Sequence, residues 1–128
     1  MLVIDASALV IAAVDQQDRG RLIRRLMLDG AAAPHLIDAE VGQAIRKLVL
    51  RDVLTPDAGL RSLDAAHAYV THRHEHRDYL PRAWELRHNV SFYDGLYVAL
   101  AEAAGLPLVT ADKRLAVAGG LRCDVAAL

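Results

Sequence analysis

Two very short apolar runs that each end on a polar residue limit what this chain can become. Leu2-Val3-Ile4 stops at Asp5, and Leu108-Val109 stops at Thr110. Three apolar residues in succession leave no polar face, so the first run suits a strand covered on both sides, and Leu108 to Thr110 reads as another strand. Between and around them the apolar spacing is helical. Leu22, Ile23, Leu26 and Met27 share one face of a segment closed by Gly30. Val41, Ala44, Ile45 and Leu48 make the stripe of a helix that Asp38 would cap and that runs to about Leu50. Thr55-Pro56-Asp57 opens another helix, with proline at its first position. Further helices are predicted after Ser7 as cap, near Pro81 to Arg87, from Ser91 to Ala104 before Gly105 and Pro107, and from Lys113 to Val117. Three more strands are predicted, around His35 to Ile37, near Tyr69 to Thr71, and at Cys123 to Val125 after the Gly119-Gly120 break. Strands that alternate with helices make an α/β fold, a parallel sheet with helices on both faces. At 128 residues the chain, 1–128, reads as a single domain able to bury a proper core.

Several function classes drop out at this level. Aromatic residues are 5% of the chain, too few for a row of rings that stacks single-stranded bases. Lys and Arg number 15 against 16 Asp and Glu, so any attraction for a polyanion must come from local clustering. The lone cysteine, Cys123, forms no internal disulfide and reads as a small core residue suited to a reducing cytoplasm. The start, Met1-Leu2-Val3-Ile4-Asp5, has no basic region ahead of its apolar run and does not read as a signal peptide. The longest apolar run, Ala8 to Val14, is far short of the roughly 20 residues a membrane span requires.

Four acids stand where elements meet. Asp5 and Asp112 lie at or just past the ends of two predicted strands, while Glu40 and Asp94 lie in the first turns of predicted helices. Ligands of parallel α/β sheets bind outside the carboxyl ends of the strands, so these positions point to one crevice. Each acid also has an ordinary reading. Asp94 closes the Ser91-Phe92-Tyr93-Asp94 capping pattern, Glu40 suits a helix start, and Asp112 can cap the helix at Lys113. Asp5 fits an ordinary reading least, because a carboxylate in a buried strand end is costly unless paired. Taken together the acids need an explanation. Two carboxylates about 5 Å apart repel by roughly 3 kcal/mol at an effective dielectric near 20. No arginine or lysine neighbours Asp5, Glu40 or Asp94 in sequence. An all-oxygen cluster selects a hard cation, Mg²⁺ or Mn²⁺, over zinc, and such ions serve phosphate chemistry.

Asp5 in "VIDASAL", Glu40 in "LIDAEVG", Asp94 in "FYDGLYVALAEAAGLPLVTAD" and Asp112 in the closing "TAD" resemble the PIN domain, above all VapC, the toxin of bacterial VapBC toxin–antitoxin pairs. The resemblance covers essentially the whole chain, with all four acids in order; Gly95 stands where the family more often has alanine. It implies a central sheet of five parallel strands and a Mg²⁺-dependent endoribonuclease, with Mn²⁺ a possible substitute. Asp5 and Asp94 would be the principal metal ligands, Glu40 and Asp112 would complete the pocket, and Ser7 and Thr110 would hydrogen-bond ligands or bound water. Water activated at the metal would attack a phosphodiester of a structured RNA such as tRNA or ribosomal RNA. The implied partners are a cognate VapB-type antitoxin, whose tail fills the cleft, and a second copy in a homodimer.

An acidic pocket would repel RNA unless cations flank it. Glu40 and Lys47 share a helical face, with Arg46 and Arg51 nearby, and Lys113 and Arg114 follow Asp112. Lys47, Arg51, Lys113 and Arg114 are the candidate phosphate contacts, each equally readable as surface charge. His72, His74 and His76 alternate, as zinc ligands on a strand would, but no cysteine or fourth ligand is in reach. Competing readings fare worse. A receiver domain needs paired acids after its first strand and an Asp after its third; Ala6 and "AYVTHRHEH" supply neither. A haloacid-dehalogenase phosphatase needs Asp-x-Asp, and Ser7 takes the second place. A catalytically silent PIN-like binding module would lack an acid, and none is lacking.

Overall fold

The computed structural model describes residues 1–128. Five strands, β1 (Leu2–Ile4), β2 (Ala31–Pro34), β3 (His72–His74), β4 (Leu108–Thr110) and β5 (Val125–Ala127), form one sheet in the order β3-β2-β1-β4-β5. Every neighbouring pair is parallel. Seven α-helices connect them: α1 (Ala6–Val14), α2 (Asp18–Leu26), α3 (Leu36–Leu50), α4 (Pro56–Tyr69), α5 (Leu80–Glu85), α6 (Phe92–Ala104) and α7 (Lys113–Ala116). From β1 the chain steps through β2 to β3, then returns across the sheet to β4 and moves on to β5. Right-handed crossovers therefore put α1 to α4 on one face, where they pack on one another, and α5 and α6 on the opposite face.

β1, β2 and β4 are buried along their whole length, as runs without a polar face require. From Gly95 to Ala101 every residue of α6 is buried as the helix crosses β1, β2 and β4. The fit of α5 against α6 depends on Gly95. A Cβ there would lie 3.1 Å from the Ala83 Cα and Cβ atoms. Gly105 ends α6 in the left-handed conformation, at φ 66°, as the sequence predicts.

Five expectations shift, most of them for a tertiary reason. The second strand is Ala31–Pro34, not His35 to Ile37. Alanine and proline are weak strand formers, but full burial between β1 and β3 overrides that preference. The following helix then starts at Leu36, so Asp38 is not its cap and Glu40 is its fifth residue. The free Leu36 N–H donates instead to His76 Nε2 at 3.0 Å, a cap supplied from 40 residues away. The third strand is His72–His74, because α4 continues through Tyr69 and Thr71 exchanges two hydrogen bonds with Ala31. The last strand is displaced to Val125–Ala127, which leaves Cys123 half-buried beside the core, its thiol pKa pushed up by burial. Ser7 is not the cap of α1. Asp5 is, through Oδ1 accepting from Ala8 N at 2.9 Å. No helix is long and apolar enough to cross a membrane.

Candidate active site

β1 leads left into β2 while β4 leads right into β5, so the connections diverge between the two central strands. Sheets of this kind open a crevice at that point, beyond the strands' carboxyl ends. The register places Val3 opposite Leu108 and Ile4 opposite Val109, which brings Asp5 level with Thr110. Asp5 is only 5% exposed, and its two carboxylate oxygens accept from three donors. Oδ1 takes Ser7 Oγ at 2.7 Å and Ala8 N at 2.9 Å, and Oδ2 takes the Thr110 hydroxyl. These hydroxyls are themselves fixed. Ser7 Oγ accepts from Ala111 N at 2.9 Å, and Thr110 Oγ1 accepts from Asp112 N at 3.0 Å. Ser7 and Thr110 thus tie the ends of β1 and β4 together through the Asp5 carboxylate.

Asp94 stands in the first turn of α6, its N–H donating to Ser91 Oγ at 3.1 Å and its carboxylate half-buried. Glu40 reaches the same region from α3 and accepts from the Tyr97 hydroxyl at 2.6 Å. Asp112 caps α7 by accepting from Arg114 N at 2.9 Å, and its carboxylate also takes the Arg114 guanidinium at 3.2 Å. The ordinary capping roles of Asp94 and Asp112 are therefore present, and do not stop either from joining the cluster.

The carboxyls act on one another in pairs: Asp5 with Asp112 and Asp94, and Glu40 with Asp94 and Asp5. Burial pushes the Asp5 carboxyl above its ordinary value against the pull of its hydrogen bonds, and Asp112 adds to the rise. Burial likewise raises Asp94, with repulsion from Asp5 and Asp112 adding to it. Glu40 is raised by burial and by the charges of Asp94 and Asp5, while the Tyr97 hydrogen bond works the other way. Only Asp112 is lowered, by its hydrogen bonds from Arg114. Tyr97, 1% exposed, has its own pKa driven far upward by burial and by the Glu40 carboxylate, so it stays a donor.

Nowhere in the chain do three His, Cys, Asp or Glu side chains close on one point as a ready-made ligand cage. Mg²⁺ is commonly held by one or two carboxylates and keeps several waters, whereas zinc sites take nitrogen and sulfur in a closed set. The oxygen-only donors here fit the former. The three histidines are separately engaged: His72 Nδ1 is 2.9 Å from Thr71 Oγ1, His74 packs edge-on to Tyr79, and His76 caps α3.

Two cavities flank the cluster. One, of about 420 Å³, is lined by Glu40, Lys47, Tyr93, Gln43, Leu36 and alanines of α3. The other, of about 290 Å³, holds Asp94, Asp112, Arg114 and the Asn89–Ser91 loop. Lys47 and Arg114 each thus share a cavity with acids of the cluster. Lys113 is exposed on α7, while Arg51 sits at the C-terminal cap of α3 and lines neither cavity. Arg46 lies along a separate groove between α3 and α4. Tyr97 is the site residue that the sequence reading missed. Its position three residues after Asp94 puts both on one side of α6, the one local signal for it.

The chain belongs to the PIN domain family, whose pattern matches residues 2–121. Within that family it falls among the VapC proteins. Ribonuclease VapC1 of Mycobacterium tuberculosis is 44% identical over 125 residues, spanning 96% of this chain and 94% of the relative. The crystal structure of PAE2754 from Pyrobaculum aerophilum superposes with a TM-score of 0.71 at 26% identity, covering 97% of this chain and 81% of that one. VapBC2 from Rickettsia felis, solved bound to a DNA fragment from its promoter, shares the fold with a TM-score of 0.70 at 15% identity, covering 99% and 98%.

Proposed function

We propose that the chain is a divalent-metal-dependent endoribonuclease, the toxin of a VapBC-type pair. The observation that carries this reading is the acidic cluster itself. Asp5, Glu40 and Asp94 are pushed upward by burial and mutual repulsion, and the one cation fastened to the cluster, Arg114, is paired with Asp112 at its rim. A marginally stable chain tolerates such a cluster when a cation offsets it. Asp5 and Asp94 would hold Mg²⁺, or Mn²⁺ in its place, with Glu40 and Asp112 on its water shell. When bound, the ion supplies an activated water at neutral pH and offsets charge developing on the phosphodiester.

The chain's own groups have distinct tasks. Ser7, Thr110 and the Ala8 amide hold the Asp5 carboxylate in one orientation, so binding costs little further ordering. Tyr97 fixes Glu40 in the same way. Lys47 and Arg114 flank the cluster on two sides, where they would receive the phosphates on either side of the cut; Lys113 and Arg51 would add weaker contacts further out. The VapC1 name and the VapBC2 complex support ribonuclease activity and an antitoxin partner for this chain. The substrate in this reading is a structured RNA such as tRNA or ribosomal RNA. A basic side chain from the antitoxin tail would supply the positive charge that the apo cluster lacks. A homodimer belongs to the same reading.

Purified chain incubated with total tRNA and ribosomal RNA tests the proposal. Discrete fragments in Mg²⁺, none in EDTA, and at least a hundredfold slower cleavage by folded Asp5→Ala and Asp94→Ala variants are expected. Equal cleavage by all three proteins would overturn it.

A further inference from the structure

The cavity beside Glu40 has a composition that metal binding does not explain. Leu36, Ala39 and Ala44 give it an apolar lining, to which the Tyr93 ring, 59% exposed, adds. An exposed aromatic ring beside a catalytic carboxylate is an odd residue for solubility and a natural one for stacking. Gln43 lines the cavity from α3, and its amide offers both donors and an acceptor. Lys47 stands one helical turn further along. No hydrogen bond or ion pair within the chain engages the Gln43 amide, the Lys47 ammonium or the Tyr93 hydroxyl. At about 420 Å³ the space is larger than a single base needs, and it opens directly onto Glu40.

We infer that this cavity is a nucleobase subsite for the nucleotide next to the scissile phosphate, a reading that rests on the ribonuclease function proposed above. The base stacks on Tyr93 against the apolar lining, its edge is read by the Gln43 amide, and its phosphate meets Lys47. Stacking on one aromatic ring tolerates any base, so the preference at this position comes from Gln43. The chain has too few aromatic residues for a row of rings, and one ring beside the cluster is enough to place one base. A structured RNA would present that base from a loop, where bases are free to leave their stack.

The test uses full-length protein and total tRNA and ribosomal RNA, with the ends of the cleavage products sequenced. Tyr93→Ala is expected to slow cleavage at the principal site by about tenfold to a hundredfold, the worth of one stacked base. Tyr93→Phe, which keeps the ring, should recover most of that loss. Gln43→Leu should broaden the base accepted at one position beside the cut. The rise in melting temperature on adding Mg²⁺ should be the same in all three variants as in the parent chain, which separates loss of base binding from damage to the acidic cluster. Unchanged rate and preference in Tyr93→Ala and Gln43→Leu, with the parent active, would overturn the subsite, leave the ribonuclease reading standing, and give the cavity to a protein partner. A parent chain that cuts no RNA would remove both.

Discussion

At Glu40 the local and the tertiary readings of one residue meet. The sequence places it near a helix start, where an acid is favoured by the helix dipole alone. Its partner, Tyr97, lies 57 residues away, and no pattern around Glu40 points to it. Asp5 is the opposite case. Its position at the end of an apolar strand already marks it as a costly carboxylate, and the structure adds the donors that make it tolerable. Because the Tyr97 hydroxyl is held as a donor by burial and by the Glu40 charge, replacing it should release Glu40 rather than perturb the fold. Tyr97→Phe is therefore expected to stay within about 1 kcal/mol of the parent in stability. Its affinity for Mg²⁺ or Mn²⁺, measured by calorimetry, should fall about tenfold. Unaltered affinity would show that Tyr97 serves packing alone.

Among the elements, the helices were more legible than the strands. α6 announces itself by its serine cap and closing glycine, and β1 and β4 by unbroken apolar runs. β2 and β3 do not, because their strand state comes from position in the sheet. Ala31–Pro34 has weak intrinsic preference, and the His72–His74 edge strand is short and polar. The same tertiary control sets the start of α3, where His76 caps Leu36 and Arg73 anchors Asp38. Arg73 grips both oxygens of Asp38 at 2.7 and 2.9 Å and also donates to the His67 and Val70 carbonyls at the end of α4. It fixes the helix that carries Glu40, Gln43 and Lys47. Arg73→Met should cost about 1–2 kcal/mol, a figure held down by the solvent reaching Asp38. The Arg73 hydrogen bond holds the Asp38 carboxyl below its ordinary value of 3.8. The pair's contribution is thus full above that value and lost as pH falls through the lower native one. Denaturation midpoints of parent and variant should converge toward low pH. A gap that stays constant from neutral pH to pH 2 would rule out the ion pair as its source.

Over the whole molecule, the sheet order explains why acids scattered from residue 5 to residue 112 share one place. The connections diverge between β1 and β4, and the loops beyond those strands surround the crevice. Alternation of strands and helices was enough to predict a parallel sheet, and the acids at strand ends pointed to a crevice beyond them. The two flanking cavities, and the separation of Lys47 and Arg114 from Arg51 and Arg46, needed the packing of α3, α6 and α7. The consequence for stability has a definite sign. Asp5, Glu40 and Asp94 have native pKa values raised above their ordinary ones, so the stability they contribute is full below those ordinary values and is lost as pH rises through the native ones. At neutral pH without metal the cluster opposes folding.

Melting of the parent chain and of Asp94→Asn, each in EDTA and in Mg²⁺ at neutral pH, tests this account most directly. In EDTA the variant should be the more stable by about 1 kcal/mol, since it removes one charge from a repelling cluster. Mg²⁺ should raise the melting temperature of the parent and leave that of the variant nearly unmoved, so that the advantage shrinks or reverses. If Mg²⁺ moves neither protein, or moves both equally, the four carboxylates do not form a metal site and the nuclease proposal loses its foundation.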